Sequence, residues 1–231
     1  MQNKNTHQVT RWKQFNSIEA LRHSVCDAIV QSANEAIAER GQFLLVLAGG
    51  NTPRSIYRRL RDIDTDWSKW HIFLNDDRCL PVDDVERNSV MVRQVWLDHV
   101  AIPKSQVFDI PTELGNVVAA KIFSETIKNV GTFDVVICGL GEDGHTASLF
   151  PGQPIDNSAD AVPVFNAPKP PADRVTMSVN RLNNTREAMF LVTGEGKQEA
   201  VNNWRKGVEI PAALMAPANG VDVYCYDVEL K

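Results

Sequence analysis

The sequence predicts an α/β fold: a mostly parallel, Rossmann-like sheet with helices on both faces. Three observations lead there. Short continuous apolar runs such as FLLVLA (43–48) and FDVVICG (133–139) have the length of strands buried on both faces. Segments with helical periodicity alternate with these runs. Glycines and charged residues gather just after the runs, where strands of an open parallel sheet end. The 231 residues contain no repeat, no low-complexity tract and no clean linker, so residues 1–231 are expected to form a single domain.

Taken in order, residues 17–40 read as a helix. Ile18, Leu21, Val25, Ala28, Ile29, Ala36 and Ile37 fall on one face, Ser17 suits the cap and Gly41 the stop. FLLVLA is the first strand, and GGNTPR turns the chain into a helix over 53–61. WHIFLND (70–76) is the next strand. Residues 88–100 and 114–130 read as helices, and FDVVICG as a strand. Residues 151–171 hold six of the twelve prolines and read as loop with a short edge strand at VPVF. RVTMSV (174–179) and AMFLVTG (188–194) are further strands, 195–206 is a helix, and VDVYCYD (221–227) closes the fold.

Bulk properties narrow the function. Apolar residues make up 43% and charged residues 23%, ordinary for a globular chain. A net charge of −5 and a pI near 5.6 give no electrostatic footprint for nucleic acid. No run is long enough to span a membrane, and the polar N-terminus, MQNKNTHQVTRWKQ, lacks the apolar stretch of a leader. Four scattered cysteines without a C-x-x-C pair indicate reduced thiols, hence a cytoplasmic protein. Cys138 and Cys225 read as core. Neither nucleic acid nor membrane is expected as a partner. The sequence does not fix the oligomeric state, and a monomer is favoured.

Four turns at strand ends carry the chemistry, since ligands bind beyond the carboxyl ends of such strands. In LAGGNTP (47–53), Gly49 and Gly50 admit a close backbone approach, Thr52 suits a cap and Pro53 the first helical position. Together with Asn51 they make an anion cradle, or else a tight turn with nothing bound. Neither a P-loop nor G-x-G-x-x-G is present. In NDDRCLP (75–81), Asp76, Asp77 and Arg78 are functional groups or a surface ion pair.

GLGEDGHTASLFPG (139–152) offers Asp143 and His145 as a carboxylate-held general base. The alternatives are a histidine capping the next helix, or a metal site, for which no third ligand is evident. In VTGEGK (192–197), Lys197 sits in the first turn of a helix, where a cation opposes the dipole unless an anion is bound; a solvated lysine is the alternative. Arg174 is a further cation. His7, His23, His71 and His99 read as structural or solvated. With no G-x-S-x-G and no cysteine beside a histidine, activated water is the simplest hydrolytic option.

LAGGNTPRSIY, FLNDDRCLP, FDVVICGLGEDGHTASLFPG, RVTMSV, FLVTGEGKQEAV and IPAALM together resemble the 6-phosphogluconolactonase family, in order from about residue 43 to 215. The resemblance implies a sugar-phosphate isomerase-like fold, no metal or organic cofactor, and hydrolysis of 6-phospho-D-glucono-1,5-lactone in the oxidative pentose phosphate pathway. For such a substrate, Gly49, Gly50, Asn51, Thr52, Lys197 and Arg174 are expected to hold the phosphate. His145 is expected to activate water, Asp143 to set its tautomer, Arg78 to stabilise the oxyanion or orient the ring, and Asp76 to fix Arg78 or a sugar hydroxyl. Asn75 stands where the family usually has glycine, Asp77 where glutamate is common, and R-N-S (87–89) replaces S-N-Y. Two alternatives share the fold: a glucosamine-6-phosphate deaminase/isomerase, disfavoured by Arg78–Cys79 and SLFPG, and a non-catalytic sugar-phosphate sensor.

Overall fold

The computed structural model describes residues 8–230. His7 and the first half of the segment read as lacking a leader lie outside them. The elements are β1 (Thr10–Gln14), α1 (Ile18–Arg40), β2 (Phe43–Leu47), α2 (Asn51–Leu60), β3 (Trp70–Leu74), β4 (Asp76–Arg78), α3 (Asn88–Val95) and β5 (Val107–Phe108). There follow α4 (Asn116–Ile127), β6 (Phe133–Gly139), β7 (Ala161–Val164), β8 (Arg174–Met177), α5 (Val179–Asn183), β9 (Thr185–Thr193), α6 (Gln198–Arg205) and β10 (Val221–Tyr226).

Seven strands form one sheet in the order β1-β10-β9-β6-β2-β3-β5, with every pair parallel. All five residues of β2 are buried, so both faces of the sheet are covered there, because side chains alternate along a strand. Helix α1 packs on α2 and over β2, β6 and β10. Its ends are as the sequence indicates: the Ser17 hydroxyl accepts from Ala20 N–H, and Gly41 closes the helix at φ 73°. On α6, Trp204 meets Phe190 of β9 and Trp12 of β1 edge-on at 4.7 and 5.2 Å.

A second, antiparallel sheet, β4-β8-β7, is absent from the sequence reading. The expected strand 70–76 is in fact two. Asn75 N–H still donates to Leu47 O of the large sheet at 2.9 Å, while its carbonyl accepts from Met177 N–H at 2.7 Å. Asn75 is thus the residue at which the chain passes from one sheet to the other. RVTMSV contributes β8 to the small sheet, and the proline-bounded edge strand is β7. Helix α4 packs against both β7 and β8.

Other boundaries move. Helix α2 begins at Asn51 with Gly50, not Thr52, at the cap; Gly50 has φ 103°, which lets the chain turn there without a side-chain cap. Helix α3 stops at Val95 and continues as a 3-10 turn, Leu97–His99. Helix α4 is shorter than 114–130 because a 3-10 turn, Thr112–Leu114, and Gly115 precede it. Glu195–Lys197 is also a 3-10 turn, which leaves Lys197 at the cap of α6. The polar segment TRWKQ forms β1, an edge strand bonded to β10 alone. No helix among the described residues is long and apolar enough to cross a membrane. Burial pushes the thiols of Cys26, Cys138 and Cys225 up to about 12.

Candidate active site

Strands β9, β6, β2 and β3 are consecutive neighbours in the parallel sheet, so the turns that follow them lie side by side. A cleft of about 710 Å³ opens between these turns and the small sheet. Its walls include Gly49–Thr52, Asn75, Asp76, Arg78, Asn88, His145, Lys169, Arg174 and Lys197. A larger groove of about 860 Å³ lies elsewhere, walled by Trp12, Trp204, Val208 and Ile210. The sequence-marked residues converge on the smaller cleft and not on this groove.

The first turn is held tightly. Tyr57 Oη donates to Ala48 O at 2.9 Å and accepts from Ala48 N–H at 3.0 Å, both buried. Thr52, read as the cap, instead pairs its hydroxyl with that of Thr193 at 2.6 Å, tying the β2 turn to the end of β9. A Cβ on Gly49 would sit 1.9 Å from Asn88 Oδ1, so this position admits glycine alone without displacing Asn88.

The charged triplet does not form a surface ion pair; both carboxylates are buried. Asp77 accepts from the backbone N–H of Arg78, Asn88 and Ser89, from Ser89 Oγ at 2.7 Å and from Arg87 Nε at 3.3 Å. It therefore caps α3, whose own cap residue Arg87 offers no side-chain bond. Asp76 accepts from Ser148 Oγ at 2.5 Å and Asn88 Nδ2 at 3.0 Å. Burial raises its carboxyl above the ordinary carboxylate range, against the Ser148 bond and the charges of Arg174 and Arg78. Arg78 Nη1 donates to Glu86 O at 2.5 Å. The chain contacts of Asn88 and Ser148 are invisible in sequence, since they join segments far apart.

Gly141 and Gly144 shape the β6 turn: Gly144 N–H donates to Gly141 O at 3.0 Å with φ 86° at Gly144, and Gly141 N–H to His145 O at 2.8 Å. The turn brings His145 Nδ1 to 2.5 Å from Asp143 Oδ1. Nδ1 is thereby assigned the proton, and Nε2 is left as the basic nitrogen. The ring packs on Phe150 at 4.9 Å. Helix capping is excluded as its role: Thr146 and Leu149 bridge, and no helix starts there. Among the described residues no three His, Cys, Asp or Glu side chains converge as a metal site requires.

Burial depresses the His145 imidazole below its ordinary value. Lys169 acts in the same direction, and Asp143 and Asp76 oppose. Asp143 is held below the usual carboxylate range by the hydrogen bond and charge of His145, although burial works against this. Burial also lowers the Lys197 ammonium, with Glu142 opposing and Lys169 assisting. Lys169 and Lys197 line the same cleft as His145.

Lys169 was not singled out in the sequence, where it reads as part of a proline-rich loop. Arg174 explains its placement: Nε donates to Pro171 O at 3.1 Å, and Nη2 to Lys169 O and Pro170 O at 2.8 and 3.0 Å. The repeated prolines, with no N–H to pair, leave carbonyls available to a guanidinium fork. His23 pairs with exposed Asp27, His71 stacks on Phe108, and His99 bonds Gln94 O; none lines the cleft.

The arrangement combines a neutral, carboxylate-oriented imidazole with a helix N-terminus and several cations in one water-accessible cleft. It suits proton transfer on an anionic substrate. A family model for glucosamine-6-phosphate isomerases/6-phosphogluconolactonase matches residues 16–224. The chain belongs to this family. A 6-phosphogluconolactonase of Synechocystis is 36% identical over 190 residues, covering 78% of each chain. One from Mycobacterium tuberculosis is 35% identical over 204 residues, 80% of this chain and 83% of the relative. The crystal structure of 6-phosphogluconolactonase from Thermotoga maritima superposes with a TM-score of 0.89 at 25% identity, covering 94% of this chain and all of that one. A monomeric glucosamine-6-phosphate deaminase shares the fold, with a TM-score of 0.80 at 18% identity.

Proposed function

We propose that this protein hydrolyses 6-phospho-D-glucono-1,5-lactone to 6-phosphogluconate, with His145 as general base. The observation that carries the reading is the 2.5 Å contact of His145 Nδ1 with Asp143, which directs the basic Nε2 to the substrate side of a cation-rimmed cleft. In this reading the α2 N-terminus, Asn51, Thr52 and Lys197 hold the phosphate, with Lys169 as a second cation. Arg174 acts by holding the loop that carries Lys169.

Water attacks C1 as Nε2 takes its proton, and a C–O bond forms. The carbonyl electrons move onto oxygen, and Arg78 stabilises that charge. On collapse the bond from C1 to the ring oxygen breaks, and protonated His145 returns its proton to that oxygen. The acid product then ionises, so turnover is read as acid release. Acid release from freshly made lactone should exceed the spontaneous rate, and gluconolactone lacking the phosphate should be a much poorer substrate. Equal turnover of the two lactones would remove the phosphate from recognition.

Two further outcomes are expected. Lys197→Ala raises KM more than it lowers kcat, because it removes binding to a group remote from the reacting bond. Unchanged kinetics would remove Lys197 from the site. The pH profile follows from the depressed imidazole: His145 must be neutral to act, so the acid limb of kcat/KM lies below the ordinary imidazole value of about 6.5. Lys169→Ala removes a repulsive charge and moves that limb upward. A limb above the ordinary value, or one insensitive to Lys169, would contradict this account.

A further inference from the structure

Phe150 follows the turn that carries His145. It is 1% exposed, yet it is not among the residues that make up the main hydrophobic core. Its ring meets polar side chains instead. The His145 imidazole lies 4.9 Å away between ring centroids, tilted by 40°, and the Arg174 guanidinium carbon lies over the ring at 5.5 Å. A buried phenylalanine with a base and a guanidinium as neighbours is placed for more than core packing.

An aromatic face is the negative part of the ring's quadrupole and attracts a cation within about 6 Å of its centre. While His145 is neutral it gains little from this. Once Nε2 takes a proton from water, His145 becomes an imidazolium in a half-buried place. Burial and Lys169, from the loop before β8, disfavour that charge; Asp143 of the same turn and Asp76 of β4 favour it. Phe150 adds a favourable neighbour that carries no net charge. Arg174, on the same ring, is the guanidinium that bonds the carbonyls of Lys169, Pro170 and Pro171.

Resting on the proposed lactone hydrolysis, we infer that Phe150 is a positioning residue: its ring holds the His145 imidazole and stabilises the imidazolium that forms as water attacks C1. The stabilisation belongs to the protonated base, so it acts on the reacting state and not on substrate binding.

The test replaces Phe150 alone, by site-specific incorporation, with phenylalanines carrying one and then three ring fluorines. Fluorine draws electron density from the aromatic face and leaves the shape of the ring nearly unchanged, so the packing is kept. A weaker face disfavours the imidazolium. The acid limb of kcat/KM should therefore move to lower pH with each step, and kcat should fall by about three- to tenfold with three fluorines. KM should stay as in wild type. The imidazole resonance of His145, identified by its loss in His145→Ala, should titrate at lower pH in the same order. A kcat and an imidazole titration that ignore the fluorines would overturn the inference. So would a rise in KM with kcat unchanged, which would make the ring a support for Arg174 and the Lys169 loop alone. An imidazole titration that follows the fluorines, in a protein that accelerates no lactone, would uphold the contact with His145 and overturn the functional reading instead.

Discussion

His145→Ala is expected to lower kcat by about 10²–10⁴-fold, the usual contribution of a positioned general acid–base group. The effect should appear in kcat rather than KM, because in the proposed mechanism the imidazole acts on water and the departing ring oxygen, not on the phosphate. Stability should change little, since the side chain sits at a cleft rim and its polar partner is the partly exposed Asp143. Single-turnover or steady-state acid release, corrected for spontaneous hydrolysis, measures it. A variant with nearly wild-type kcat would remove His145 from the chemistry and return Asp143–His145 to a structural ion pair.

Gly141→Ala should be nearly as damaging without touching a reacting group. A Cβ there would lie 1.9 Å from His145 Nδ1, 2.3 Å from Cε1 and 2.5 Å from Asp143 Oδ1. No such contact is tolerable, and the side chains must give way. Both are partly exposed and have solvent to swing into, so the fold survives while the His–Asp pair is lost. The expected result is a loss in kcat approaching that of His145→Ala, with an unfolding midpoint close to wild type. Retained activity would show that the short Nδ1–Oδ1 contact is dispensable. Combining Gly141→Ala with His145→Ala should add little to either alone, because both remove the same function.

The features of this site that sequence reveals are those made by adjacent residues. Strand β2 and most of β6 and β9 are apolar runs, and the glycines and charges that trail them mark where the turns fall. Asp143 and His145 are two residues apart, so one turn suffices to join them. What stays hidden depends on distant segments. β4 is three charged residues, DDR, with no apolar signature; its carboxylates are buried by bonds from Asn88, Ser89 and Ser148. β1 is polar because it is an edge strand, stabilised by pairing with β10 and by Trp12 against Trp204. The loop that carries Lys169 is held by Arg174, which bonds the carbonyls of Lys169 and Pro170.

Asn75 illustrates both sides. Its place at the end of an apolar run is plain in the sequence, but its partners are not. Its passage between the two sheets and its bond to Ile137 O join segments far apart in the chain. The same geometry explains why a strand assigned over 70–76 breaks there. The residue serves two hydrogen-bond ladders at once.

Offering freshly generated 6-phospho-D-glucono-1,5-lactone and glucosamine 6-phosphate side by side tests the central claim most directly, with acid release followed for the first and ammonia for the second. Lactone loss far above the spontaneous rate, abolished in His145→Ala and without ammonia from the amino sugar, is the predicted result. Ammonia from glucosamine 6-phosphate, with lactone decaying only at its spontaneous rate, would contradict it.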